Sequence, residues 1–219
     1  MSTAPAPGDP AARRPSAGSG HRLFDLLAAT LGWLLIGPLL ALLALLVKLD
    51  SPGPVLFRQR RVGRNGRPFV VYKFRTMRID GPSPAKPAGS PHGEGIDWER
   101  FTFAPDRPDP RVTPLGRVLR RTSFDEMLQL INVIRGDMAL VGPRPELPEI
   151  VRRYPPSFHA RHTVRPGITG LAQVSGRADL TYAKTIRYDL AYIRWRSLRN
   201  DLAILGRTLG AVFRGSGAR

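Results

Sequence analysis

From Leu26 to Val47 the chain reads LLAATLGWLLIGPLLALLALLV, 22 residues without a charge. As a helix rising ~1.5 Å per residue it reaches roughly 33 Å, enough to match the hydrocarbon core of a bilayer. It is too long for the apolar core of a signal peptide, and no small-residue cleavage site follows it. The segment belongs to a membrane. Arg13, Arg14 and Arg22 precede it, and Lys48, Arg58, Arg60, Arg61, Arg64 and Arg67 follow it. Positive charge marks the cytoplasmic side, so a simple span would have to export one basic flank. Pro38, preceded by Gly37, stands near the middle. Its ring removes the donor that would bond to Leu34 and kinks the helix. The segment alone is compatible with a single span carrying a tolerated proline, and with a broken helix that enters and leaves by one face.

The remaining sequence must account for a formal net charge of +17 in 219 residues. Like charge at that density calls for anionic matter nearby: nucleic acid, an anionic membrane surface or phosphorylated substrates. No stacking motif or zinc pattern accompanies the charge, and the long apolar run argues against nucleic acid. The chain has no cysteine, which excludes disulfides, thiolate catalysis and cysteine metal sites. Hydrophobic content of 42% is enough for a packed core.

Residues 1–20, rich in Ala, Pro, Gly and Ser, are expected to form a disordered tail ahead of a membrane segment at 21–48 and a domain at 49–215. Alternation of apolar and polar residues on either side of Asn65-Gly66 predicts a hairpin with strands near 54–61 and 68–75. Residues 80–110 have the composition of a long irregular loop. Thr113-Pro114 predicts a capped helix through Arg121, and a second helix is expected from Ser123. Residues 147–163 read as helical, broken at Pro155-Pro156, and 164–177 as a glycine-punctuated loop. Two closing helices are expected at 181–196 and 199–213. The first places Tyr188, Tyr192 and Trp195 on one face, and the second stacks Leu198, Leu202, Leu205, Leu209 and Val212. Such faces suit helices lying in a membrane interface, and equally helices that cover a soluble core.

Two adjacent carboxylates, Asp125 and Glu126, sit in the stretch RRTSFDEMLQLINVIRGDMALVGPRP (120–145). Ser123 to Glu126 fits the S-x-x-E capping box, in which both acids merely start a helix. The surroundings add a chemical reading. Met127, Leu128, Ile131 and Ile134 give that helix one apolar face. Its N-terminus would offer amides to a phosphate and keep Asp125 ionised, as a nucleophilic carboxylate must be. Glu126 could hold a divalent cation, and Arg120, Arg121, Arg135 and Arg144 could clamp phosphoryl oxygens. His159 and His162, three apart with no third ligand, read as solvated. No P-loop, G-x-S-x-G or G-x-G-x-x-G motif is present.

These residues resemble a known family, the bacterial sugar transferases, also called monotopic phosphoglycosyl transferases. The likeness runs from about His21 to Phe213. It is carried by SPGPVLFRQRRVG (51–63), VYKFRTM (71–77), LRRTSFDEMLQLINVIRGDMALVGPRPE (119–146) and VRPGITGLAQVSGR (164–177). The resemblance implies an α+β, mostly helical fold: a re-entrant N-terminal membrane helix broken at Gly37-Pro38, a small β-hairpin, and a helical catalytic domain with interfacial amphipathic helices. It implies a monotopic protein on the cytoplasmic face of the inner membrane, in contact with its lipid. The implied reaction moves a sugar phosphate from a UDP-sugar to polyprenyl phosphate and releases UMP, the first lipid-linked step of a surface glycan. By resemblance Asp125 is the nucleophile that forms a phosphosugar-enzyme intermediate. Glu126, with Asp125, is expected to bind Mg²⁺. Arg120 and Arg144 match phosphate-contacting arginines, and Arg165, Gln173 and Arg177 match a loop that helps close the site. A homodimer is compatible with the family. One departure is Gly37, where the family often has Ser before the proline. The alternative is a non-catalytic, membrane-anchored envelope scaffold that keeps the fold.

Overall fold

In the computed structural model, residues 19–80, 96–102, 109–176 and 179–213 are described. The N-terminal helix α1, Ser19–Asp50, is a single helix that continues through Pro38. It begins before residue 21 and ends beyond residue 48, and most of the expected tail, 1–18, lies outside the described residues. Over Gly20–Asp50 it is long and apolar enough to cross a membrane.

Asp25, Ala29, Leu40 and Val47 of α1 are buried, and Trp33, Ile36 and Ala44 pack between them. This is one helical stripe docked on the domain from near its first turn to near its last. The docking is polar at the start: Arg22 donates to the carbonyls of Val133 (2.6 Å) and Ile134 (2.9 Å). The Asp25 carboxylate accepts the Leu140 amide at 3.0 Å. On the other side Leu23, Leu27, Leu31, Leu34, Leu35, Leu42, Leu45 and Leu49 are exposed. An apolar face of that length on a soluble surface would be a liability, so it belongs to lipid.

Strands β1, Leu56–Val62, and β2, Pro68–Phe74, form the expected antiparallel hairpin. Its turn requires positive φ at Asn65 (57°) and Gly66 (75°), which Asn and Gly tolerate best. Helix α2, Pro114–Thr122, starts as its sequence predicts: the Thr113 hydroxyl accepts the Gly116 amide at 2.9 Å, with Pro114 in the first turn. Gly116 is needed there because a Cβ would lie 2.1 Å from the Thr76 carbonyl oxygen.

The second helix differs from expectation. Ser123 is left-handed (φ 59°, ψ 17°), closes α2, and makes no side-chain cap. A tight three-ten run, Phe124–Gln129, leads into α3, Leu130–Arg135. Strand β3, Ala139–Val141, pairs in parallel with β4, Gly167–Thr169. The stretch 164–177 is thus no plain loop, since it supplies β4 and the short α5, Leu171–Ser175. Between β3 and β4 lie α4, Pro148–Val151, and a three-ten run, Pro156–Thr163, broken where Pro155-Pro156 predicts. Helices α6, Tyr182–Trp195, and α7, Leu198–Phe213, close the fold.

The aromatic face expected on α6 is divided. Tyr192 is buried, with its hydroxyl donating to Val141 O and Asp201, whereas Trp195 is exposed. On α7 Ile204 is buried and Leu198, Leu202 and Leu209 are exposed. Part of the expected loop 80–110 also has a place: Trp98 and Phe101 pack on Tyr182, and their carbonyls accept the amides of Ala183 and Tyr182. The arrangement is α+β and mostly helical.

Asp25→Ala leaves the buried Leu140 amide unpaired at the joint between α1 and the domain. A loss of about 1–3 kcal/mol is expected, checked by thermal unfolding in detergent micelles against Leu27→Ala on the exposed face.

Candidate active site

The 124–129 run packs beneath β2, and this places Glu126 opposite Lys73. Lys73 shares a strand face with Val71 and Phe69, because pleating alternates side chains. Val71 is buried, so the ammonium is carried into the protein, where it meets Glu126 Oε1 at 2.7 Å. Arg144 arrives from the loop after β3. Its two terminal nitrogens reach Glu126 Oε1 at 2.5 Å and Oε2 at 3.1 Å, a bidentate pair. The capping-box role is therefore corrected: Glu126 does not reach back to Ser123. Two cations outbid one amide for a carboxylate, and the left-handed Ser123 offers only its backbone, accepting the Glu126 amide at 3.2 Å.

The Arg144 loop is seated by backbone contact with the VRPGITG segment. The Gly142 amide donates to Thr169 O (2.9 Å) and the Gly167 amide to Pro143 O (3.0 Å). A Cβ on Gly167 would stand 2.1 Å from the Gly142 nitrogen. Glycine in both motifs has one cause, two backbones that touch.

Charge divides the carboxylates. Burial alone would raise Glu126, but Arg144 and Lys73 outweigh it and hold its carboxyl well below the usual carboxylate range. Burial, then the Glu126 charge, pushes Asp125 up to about 6, against the pull of Lys73, Arg144 and Arg120. The sequence reading that Asp125 is held ionised by a helix terminus is thus modified. It is ionised at neutral pH, yet close to titration. Among the described residues no donor is hydrogen-bonded to its carboxylate. Glu126 is clamped and Asp125 is open.

Of the residues singled out in the sequence, Arg120, Asp125, Glu126 and Arg144 converge. Arg120 is steered by a bond from its Nε to Thr76 Oγ1 at 2.9 Å. Arg165 lies elsewhere: its Nε donates to Gly136 O at 2.9 Å, beyond the far end of α3 from Asp125, among Arg22 and Arg64. Gln173 sits on α5 with both amide atoms buried and unpartnered among the described residues. Arg177 lies outside the described residues. Arg121 and Arg135 are exposed. His162 is not simply solvated; it stacks on Tyr154 (ring centroids 5.9 Å apart, 8° between planes), and burial beside Arg161 lowers it to about 4.

Lys73 was missed from sequence. The available signal was a lysine on the buried face of a predicted strand, which requires a counter-charge.

Among the described residues no group of three or more His, Asp or Glu side chains forms a metal cage. Both Glu126 oxygens already meet Lys73 or Arg144, so of the two acids only Asp125 has oxygens left unpaired by the described residues, of the kind a hard cation such as Mg²⁺ takes alongside water and substrate phosphates.

The sequence model of the bacterial sugar transferase family matches residues 17–215, and the chain belongs to that family. It is 41% identical over 208 residues to the exopolysaccharide production protein ExoY of Rhizobium meliloti, covering 94% of this chain and 91% of that protein. It is 44% identical over 201 residues to the UDP-glucose:undecaprenyl-phosphate glucose-1-phosphate transferase of Caulobacter vibrioides, covering 87% and 68%. With the undecaprenyl-phosphate galactose phosphotransferase of Salmonella typhimurium it shares 39% identity over 200 residues, covering 90% of this chain and 41% of that one.

For any reaction in which Asp125 acts ionised, the rate is expected to fall as pH drops through about 6. Lys73→Met removes a cation that favours the ionised form, so the acid midpoint should move to higher pH. The pH profile of turnover for both proteins checks the direction.

Proposed function

We propose that this protein is a monotopic phosphoglycosyl transferase that moves a sugar 1-phosphate from a UDP-sugar to polyprenyl phosphate, starting the assembly of an exopolysaccharide or related surface glycan. The observation that carries this reading is the asymmetry of the carboxylate pair, one clamped by Lys73 and Arg144 and the other open. A nucleophile has to be ionised and unencumbered, and Asp125 meets both conditions at neutral pH.

In this reading an oxygen of Asp125 attacks the sugar-bearing phosphorus. The bond to the bridging oxygen breaks and UMP departs, leaving the phosphosugar on Asp125. A phosphate oxygen of the polyprenyl acceptor then attacks that phosphorus, releases polyprenyl diphosphate sugar and regenerates the carboxylate. Arg120 and the exposed side of Arg144 orient phosphoryl oxygens and favour the ionised nucleophile. Asp125, joined by Glu126 where it yields a contact to Lys73 or Arg144, would hold Mg²⁺ with the substrate phosphates, and the bound ion would supply positive charge against the diphosphate that otherwise repels the attacking group.

The acceptor is a lipid, and the placement of α1 supports a one-faced attachment. Arg22 and Asp25 near its start and Val47 near its end all contact the same domain. A helix that left the domain to cross the bilayer could not bury both ends in it. The basic residues on both flanks of α1 support a cytoplasmic face. The relatives act, by their names, on glucose and galactose donors.

The test is UMP release by the protein reconstituted in membranes with Mg²⁺, polyprenyl phosphate and a panel of UDP-sugars. Release with at least one donor is expected, falling at least about 10³-fold in Asp125→Asn. A folded Asp125→Asn variant that keeps its rate would sink the reading. Wild-type silence across the panel would favour the scaffold.

A further inference from the structure

A second charged cluster lies behind the site, fully inside the protein. Arg161 and Asp189 form an ion pair at 2.6 Å, and each side chain is only 2% exposed. Arg161 also donates to the hydroxyls of Tyr154 (2.8 Å) and Tyr182 (3.1 Å). Its remaining described bond goes to the backbone carbonyl of Arg144 at 2.9 Å. The next two residues are held as firmly. Arg61 donates to Pro145 O (3.3 Å) and to Glu146 Oε1 (3.1 Å). Tyr182 donates to Glu146 Oε2 (3.3 Å), and the Val62 amide donates to Glu146 O (2.9 Å).

Buried ion pairs are poor stabilisers, because desolvation offsets most of their attraction and apolar residues often serve as well. A purely structural account therefore leaves the charge unexplained. The geometry supplies another. Arg144 must present a planar fork to both oxygens of Glu126, and a fork fails when its root shifts by a fraction of an ångström. Its side chain is 46% exposed, so little packing holds it from outside. The restraint comes from the backbone behind it.

We propose that Arg161, braced by Asp189, Tyr154 and Tyr182, is a positioning residue that fixes the Arg144 backbone and so sets the Arg144–Glu126 fork. The proposal rests on the transferase reading only in taking Arg144 as part of the site. Lysine at 161 keeps the charge beside Asp189, but its single ammonium cannot reach the hydroxyls and the carbonyl together.

The experiment is a double-mutant cycle on kcat/KM for UMP release. Arg161→Lys should lower it about 10²-fold in the native background. In an Arg144→Ala background the same change should cost less than about threefold, because coupled residues are not additive. Ile186→Ala, a cavity under the same aromatic cluster, serves as a control for lost stability, and its effect should multiply with Arg144→Ala. Tyr154→Phe removes one acceptor and no charge, and gives the same cycle at smaller amplitude should Arg161→Lys not fold. Independent losses for Arg161→Lys and Arg144→Ala would overturn the proposal. Amide hydrogen exchange at Val62 and Leu147, whose amides donate to Glu146 O and Oε1, reads the clamp without substrate. Faster exchange in Arg161→Lys than in Ile186→Ala is expected even if the wild type were silent towards every donor. Unchanged exchange would overturn the clamp on its own.

Discussion

A buried carboxylate stays charged only where cations replace the water it has lost, and Glu126 has two of them. Its side chain is 13% exposed, yet Lys73 and Arg144 hold it ionised. That single group ties together three parts of the chain far apart in sequence: the second strand of the hairpin, the turn after α2, and the loop after β3. Its fixed negative charge also acts on its neighbour, helping burial to raise Asp125 to about 6. One acid sets the frame and leaves the other unpaired among the described residues. Adjacent carboxylates in one turn thereby acquire different tasks from their environments alone.

The frame needs a rigid origin for Arg144, and two glycine-bearing segments provide it. The backbones at Gly142 and Gly167 approach too closely for any side chain, so β3 and β4 bring GPRP and RPGITG into one unit. Behind that unit, Arg61 and Arg161 hold the carbonyls and carboxylate of 144–146. The basic content of the chain is therefore not all directed at anionic ligands. Arg22, Arg61, Arg75 and Arg161 all spend donors on backbone carbonyls. A high pI in this protein reports internal scaffolding as well as surface potential.

The apolar helix is joined to the same frame. It docks through Arg22 on the end of α3, through Asp25 on β3, and through Val47 on the cluster containing Leu119 and Leu128. Its outer leucines, with the exposed leucines of α7, present a continuous reason for lipid contact. Attachment to the membrane and placement of the site thus share one packing arrangement. In the proposed function this matters because the acceptor phosphate has to be met at the bilayer surface.

Local chemistry was written in the sequence. The hairpin followed from Asn65-Gly66 between alternating strands, the α2 cap from Thr113-Pro114, the break before 156 from its prolines, and the membrane segment from 22 uncharged residues. Each of these depends on neighbours within a few positions. So did the recognition of Asp125 and Glu126, although their local pattern suggested a capping box that the fold does not use. What only the tertiary structure decided were pairings across long separations: Lys73 with Glu126, Arg161 with the Arg144 carbonyl, and Arg165 with Gly136 instead of the site. No periodicity records such partners, because a charged side chain is satisfied by whatever the fold brings within about 3 Å of it. The sequence by itself determined the hairpin, the α2 cap, the membrane helix and the acid pair; the β3–β4 pairing and the split between a clamped Glu126 and an open Asp125 were decided by what the fold brought together.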